Sequence, residues 1–254
     1  MSDNLSREDA GNGVCVLSFN RAPVNALNPQ YLGGMEAELA DLENDTNVRA
    51  VVLTSGLKVF SAGMDLKEAM EFSKDEQRAV VEGLNGTYTR LYALSKPVIT
   101  AANGAAIAGG LFFILAADYT IASERGKFGL TEARVGVNFP VAPLEIARAA
   151  LNPAAFRQIM LGGNLVDAQA AKDMGMVDEV VPPEGVLERA ITVARDYASI
   201  PPKTYAAIKA QMREGELNLI RSVMEEQSDP TLDGWYSDET KPAMAALLEA
   251  ATKK

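Results

Sequence analysis

The sequence predicts an α/β domain that runs on into a helical C-terminal region. Three observations carry this. Short apolar runs alternate with longer segments of helical spacing, the order expected when crossovers join mostly parallel strands. AVVLT at residues 50–54 is apolar without alternation, as a strand buried on both faces is. After Val186 the strand-like runs stop, and Pro201-Pro202, Asp229-Pro230 and Asp233-Gly234 divide the remainder into helices. A strandless tail of this kind reads as a cap or an oligomer interface added to the core.

Taken in order, residues 14–19 (VCVLSF) are the first strand. Turn residues Pro23, Asn25 and Asn28 follow, with Asn28 placed to cap a helix that opens on Pro29. Tyr31, Leu32, Met35, Leu39 and Leu42 give that helix an amphipathic face. Residues 50–54 form the next strand, and the loop SGLKVFSAGMDL leaves it. Lys67 to Leu94 reads as one long charged helix, irregular near Gly83 and Gly86. Residues 97–102 make a short buried strand that opens with proline, as strands allow. Gly109-Gly110 then precede a buried helix, LFFILAA, and DYTIAS is a further strand. Helices are expected around 143–151, 153–161 and 167–173, with a strand at 177–181 ended by Pro182-Pro183.

Composition narrows the function. A chain of 254 residues fits one large domain, or a domain with an appendage. The net charge of −10, without a Lys/Arg run, argues against a nucleic-acid partner. Histidine is absent, which removes Ser-His-Asp and Cys-His mechanisms and the usual zinc sites. Any general base must be Asp, Glu, Lys, Tyr or the single Cys15. Cys15 lies among apolar neighbours and reads as a buried small hydrophobe. A lone cysteine rules out an internal disulfide and suits a reducing compartment. The polar, acidic start MSDNLSREDAGNG is not a signal or transit peptide, and the final ATKK matches no lipidation or SKL-type signal. A cytoplasmic location is therefore expected. The longest apolar run, Ala105 to Ala117, spans about 13 residues against the ~20 that cross a bilayer, so no membrane insertion is expected.

The stretch from Asn103 to Pro140 organises the chain. It holds a turn pair, the glycine pair, the most apolar run, and then one carboxylate, Glu132, in the setting GLTEARVG. There is no GxGxxG after a strand, no GxxxxGK[ST] and no GxSxG elbow. Asp65, Asp118 and Glu132 are scattered and match no metal loop. Two small-residue loops remain, Ser61–Asp65 and Ala108–Gly110, both placed where buried strands end. Their backbone N–H groups can approach a ligand closely and make an oxyanion hole. Equally, the glycines can serve tight strand–helix packing. Glu132 can move a proton, cap a helix start near Thr131, or pair with Arg134.

In combination these pieces resemble the crotonase (enoyl-CoA hydratase/isomerase) superfamily over nearly the whole chain. The matching blocks are NRAPVNALN at 20–28, VFSAGMDL at 59–66, KPVITAANGAAIAGG at 96–110, AADYTIAS at 116–123, FGLTEARVGV at 128–137 and AKDMGMVDEVV at 171–181. The resemblance implies a crotonase-like β-β-α spiral core with the acyl-CoA site (1–195) and a helical C-terminal trimerisation region (196–254). It implies acyl-CoA thioester substrates, with CoA part of the substrate and no separate cofactor or metal, and a homotrimer or dimer of trimers. It places the oxyanion-hole amides at Met64 and Gly109, the acid–base residue at Glu132, and substrate contacts at Ala62, Gly63, Asp65, Leu66, Gly110, Phe112 and Pro140.

Hydratases of the superfamily carry a second glutamate three residues after the oxyanion glycine, where this chain has Phe112. The family's Δ3,Δ2-enoyl-CoA isomerases have one glutamate and a hydrophobic residue there, and share the proline at position 140. The resemblance therefore implies an isomerase of fatty-acid metabolism that moves a 3-enoyl-CoA double bond to trans-2. The alternatives are an enoyl-CoA hydratase, an acyl-CoA thioester hydrolase or a non-catalytic acyl-CoA-binding member. Asn138 is the one polar residue near this site without an assigned part: it orients water or substrate, or faces an interface.

Overall fold

The computed structural model describes residues 4–252. Residues 1–3 and 253–254, which fall within the two terminal-signal expectations, lie outside the described residues. The main sheet has six strands in the order β1-β2-β3-β4-β6-β9. These are β1 Leu5–Asp9, β2 Val14–Phe19, β3 Ala50–Ser55, β4 Val98–Ala102, β6 Tyr119–Ser123 and β9 Glu179–Val181. All neighbours pair in parallel except β1, which runs antiparallel to β2. Three short strands form a second sheet, β5 Ala106–Ile107, β7 Lys127–Gly129 and β8 Val166–Asp167.

The central strands read as continuous apolar runs because each face meets its own core. Leu53 and Val51 face the larger core, while Val52 and Ala50 face a smaller one with helix α9, Val186–Ser199. Cys15 faces the larger core and is buried and unpaired. The larger core is closed by α1 (Pro29–Asn44) and by the helix that follows β3. That helix is two: α2, Leu66–Met70, and α3, Lys74–Ala93. The break lies at residues 71–73, not at the glycines, because Ser73 and Glu76 form a reciprocal capping box that starts α3 afresh. Gly83 and Gly86 sit inside regular helix, where they let α1 approach. A methyl group at Gly83 would stand 3.1 Å from Leu32 Cβ, and one at Gly86 2.8 Å from the Glu36 carboxylate.

The chain advances as a spiral. After β4 it makes β5 and then α4 (Gly109–Leu115); after β6 it makes β7 and then α5 (Glu132–Val135). The same step after β2 and β3 is reduced to single bridges, Leu27 with Met64 and Ser61 with Ala106. The second layer thus brings residues from four successive turns side by side, and this positions the site. Next come α6 (Val141–Ala150), α7 (Pro153–Gly162) and α8 (Ala168–Asp173), and the last helices are α10 (Pro202–Glu225) and α11 (Thr240–Thr252).

Helix α10 is tied to the sheet by a buried charge cluster. Asp118 Oδ2 accepts from Lys209 Nζ (2.6 Å) and from Val98 N–H (2.8 Å), and its Oδ1 accepts from Arg213 (2.8 Å). The Arg213 guanidinium also stacks 4.1 Å from the Tyr92 ring centroid. Burial pulls the Lys209 ammonium down to about 8, against the pull of Asp118. No helix among the described residues is long and apolar enough to cross a membrane.

Candidate active site

A cavity of about 610 Å³ opens where the two small-residue loops meet. Of the residues the sequence singles out, Ala62, Met64, Leu66, Gly109, Phe112, Glu132 and Pro140 line it. Gly63, Asp65 and Gly110 stand behind that lining and shape it. Gly63 turns the first loop at φ +76°, a conformation glycine adopts freely, and its carbonyl accepts from Leu27 N–H. Asp65 caps α2, accepting from Lys67 and Glu68 N–H. Gly110 packs on the Ser61 carbonyl, where a methyl group would stand at 2.5 Å. The packing role considered for the glycine pair is thus met by Gly110, while Gly109 faces the cavity.

The two loops touch. A methyl group at Gly63 would lie 3.3 Å from Gly109 N and 2.8 Å from Ala108 Cβ. Gly109 is the first residue of α4, so its N–H has no acceptor within the helix. Among the described residues, neither the Met64 nor the Gly109 N–H donates to any other group. Two free amides in adjoining loops are what an oxygen that gains charge requires.

Glu132 begins α5 and is only 8% exposed. Thr131, at the cap position, makes no side-chain cap bond, and Arg134 does not pair with Glu132 but turns to the Gly162 carbonyl (2.8 Å) and Asn164 Oδ1 (2.7 Å). The Glu132 carboxyl does accept from its own backbone N–H at the helix start. Glu132 Oε2 has no hydrogen-bond partner among the described residues. Burial in this apolar wall pushes its carboxyl from 4.5 up to about 8. Such a group exchanges protons near neutral pH.

Aromatic residues form part of the same lining. Phe112 lies 5.4 Å from Tyr88 and 6.1 Å from Phe139, ring centre to ring centre. The Tyr88 hydroxyl donates to the Gly109 carbonyl at 2.5 Å. Val137 and Trp235 extend the wall, and Leu247 of α11 reaches its edge. Sequence reading missed Tyr88, Phe139 and Trp235. Tyr88 follows Leu84 and precedes Leu91 on the apolar face of a helix, a spacing indistinguishable from plain core. Trp235 was marked only by being the single tryptophan of the chain. Asn138 has an exposed side chain outside the lining, and its carbonyl accepts from the Trp235 indole at 2.7 Å. Asp65 and Asp118 are engaged as described, and no three Asp, Glu or Cys side chains among the described residues converge as metal ligands.

Comparison with known proteins finds relatives over most of the chain. A model of the enoyl-CoA hydratase/isomerase family matches residues 9–249. The human protein named enoyl-CoA delta isomerase 1, mitochondrial, is 33% identical over 83% of this chain and 70% of its own length. A putative enoyl-CoA hydratase of Thermus thermophilus is 35% identical over 73% of this chain and 74% of its own. The crystal structure of human mitochondrial delta3-delta2-enoyl-CoA isomerase superposes with a TM-score of 0.91 at 30% identity, covering 98% of each chain.

Proposed function

The chain belongs to the enoyl-CoA hydratase/isomerase family, and on that premise we propose that it is an enoyl-CoA isomerase, shifting the double bond of a 3-enoyl-CoA to trans-2. The observation that carries this reading is the single carboxylate in the described cavity wall. Glu132 is the one acid in that lining, which also holds Phe112 and the engaged Tyr88. Syn hydration requires one group to hold and activate water and another to protonate the α-carbon. Isomerisation requires only one base that keeps its proton.

In the reaction, the Glu132 carboxylate removes a proton from C2. The C–H electron pair moves into C1–C2, and the thioester oxygen becomes a dienolate oxyanion between the Met64 and Gly109 amides. Each such donor contributes roughly 2.7–4 kcal/mol in the transition state. Glu132 then delivers the same proton to C4, leaving the double bond between C2 and C3. The raised pKa supports this shuttle, because acid and conjugate base are both accessible near neutral pH. CoA enters as part of the substrate and leaves with the product. Apolar side chains exposed on α10, among them Ile208, Met212 and Leu219, support the accompanying proposal of a homotrimer or dimer of trimers. A cytoplasmic location belongs to the same proposal.

The test is a panel of 3-enoyl-CoA and 2-enoyl-CoA thioesters of graded length, assayed on wild type and Glu132→Gln. Conjugation is followed by thioester absorbance, hydration by the 3-hydroxy product, and hydrolysis by free thiol. The reading expects conjugation that Glu132→Gln abolishes. Hydration as the dominant activity, or full conjugation in Glu132→Gln, would refute it. Hydration is measured because relatives named hydratases are as similar in sequence as those named isomerases.

A further inference from the structure

The residue that precedes the Gly109 amide is strained. Ala108 has φ +50° and ψ −130°, a region that residues with a Cβ rarely adopt. Such a conformation persists only where its surroundings over-determine it. Three contacts do so here. Ala108 N–H donates to the Gly129 carbonyl at 2.8 Å, and its carbonyl accepts from Leu111 N–H at 2.9 Å. Because the peptide is trans, the second contact turns the Gly109 N–H away from α4, on the side where Gly63 approaches. The third contact comes from outside the two loops. Tyr88, on α3, donates its hydroxyl to the Gly109 carbonyl and so fixes the peptide on the far side of the Gly109 Cα. Leu27 closes the remaining space, with its Cδ1 2.7 Å from where a Gly109 methyl group would lie.

We propose that the Tyr88 hydroxyl is the pin that keeps the Ala108–Gly109 turn strained and the Gly109 N–H aimed at the thioester oxygen, which makes Tyr88 a positioning residue. The proposal rests on the acyl-CoA reading of the site. This bond holds the peptide after Gly109, and together with the bond from Leu111 N–H to the Ala108 carbonyl it fixes both peptides that flank Gly109. Without it, Ala108 relaxes toward a common conformation by rotating the donor peptide, and the oxyanion loses one of its two amides. Tyr88 is buried, and its ring packs against Phe112 and Phe113.

Tyr88→Phe tests this, since it keeps the ring and its contacts and removes only the hydroxyl. With 3-enoyl-CoA, kcat falls about tenfold or more while KM stays within about twofold, because a misaimed donor costs the transition state more than the ground state. A saturated acyl-CoA with carbon-13 at the thioester carbonyl supplies a readout that needs no turnover. Its infrared carbonyl stretch drops on binding to the native protein, and drops less on binding to Tyr88→Phe. A variant with lowered Tm but native kcat and native carbonyl frequency overturns the assignment, since the hydroxyl then serves packing alone. If the native protein conjugates no 3-enoyl-CoA yet lowers the carbonyl stretch, and the variant does not, the isomerase reading fails and the assignment of Tyr88 stands. Equal carbonyl frequencies in the two proteins overturn the assignment whatever the turnover.

Discussion

Glu132→Gln is expected to make the protein more stable, and by an amount that depends on pH. The native carboxyl is buried, has no partner for Oε2, and titrates at about 8 instead of 4.5. Its folded value lies above its unfolded value. The native state therefore binds the extra proton between those limits, and stability is lost as pH rises from about 4.5 to about 8. At about 1.4 kcal/mol for each pH unit of that rise, the ceiling is about 5 kcal/mol. Water entering the open cavity lowers this, and roughly 2–4 kcal/mol is the working expectation. Glutamine cannot ionise, so any difference from its packing is a constant offset. The assay is denaturant unfolding of both proteins at pH 5 and pH 8. Between these two pH values the ceiling is about 3.5 kcal/mol, so the stability gap between variant and wild type should widen by roughly 1.5–3 kcal/mol from the lower pH to the higher. A gap that stays constant, or narrows, would refute the argument that Glu132 sits in a desolvated site.

Two further expectations follow from particular contacts. In the unliganded enzyme Glu132 must lose its proton to act as base, so kcat/KM for 3-enoyl-CoA should rise with pH, reach half its limit near 8 and level off above that; a profile flat from pH 6 to 9 would mean another group takes the proton. Asp118→Ala should destabilise the fold by about 3–5 kcal/mol, because Lys209 and Arg213 of α10 are then left buried without their carboxylate. Thermal or denaturant unfolding checks this, and a loss under about 1 kcal/mol would show that the cluster is solvated after all.

The sheet was legible where its strands are buried on both faces. VCVLSF, AVVLT, PVITAA and DYTIAS each became a strand within a residue or two of the expected bounds. β1 was not, because LSRED is a half-exposed edge strand whose polar residues look like a solvated tail. The strands of the second sheet are two or three residues long, too short for any periodicity to register. The break between α2 and α3 was written in the sequence as Ser73-x-x-Glu76, but the glycines drew the reading elsewhere. At the site, residue types pointed to free amides and one acid. Their meeting did not follow from spacing, since it depends on the bridges Leu27–Met64 and Ser61–Ala106, each a single residue wide. The significance of Phe112 came from resemblance alone, and that of Tyr88 from neither source.

The site concentrates two costs, a strained turn and a buried acid, at one cavity. Ala108 in a strained conformation and Glu132 with an unpartnered Oε2 both border it, whereas the polar cluster of Asn85 and Asp229 behind its wall is satisfied. Asn85 and Asp229 illustrate the contrast. Helix α6 opens on Pro140, which offers no side-chain cap, so its first amides would be orphans. Asp229 Oδ2 instead accepts from Val141 N–H (2.8 Å) and Asn85 Nδ2 (2.9 Å), and Asn85 Oδ1 accepts from Ala142 N–H (3.0 Å). One bridge thus joins α3, the start of α6 and the segment after α10 that bears Trp235. The Pro140 wall of the cavity is held in place from parts of the chain more than fifty residues away in either direction. Tolerating strain at Ala108 and a buried acid at Glu132 depends on that rigidity, because a wall free to move would relax the turn and admit water to the carboxyl.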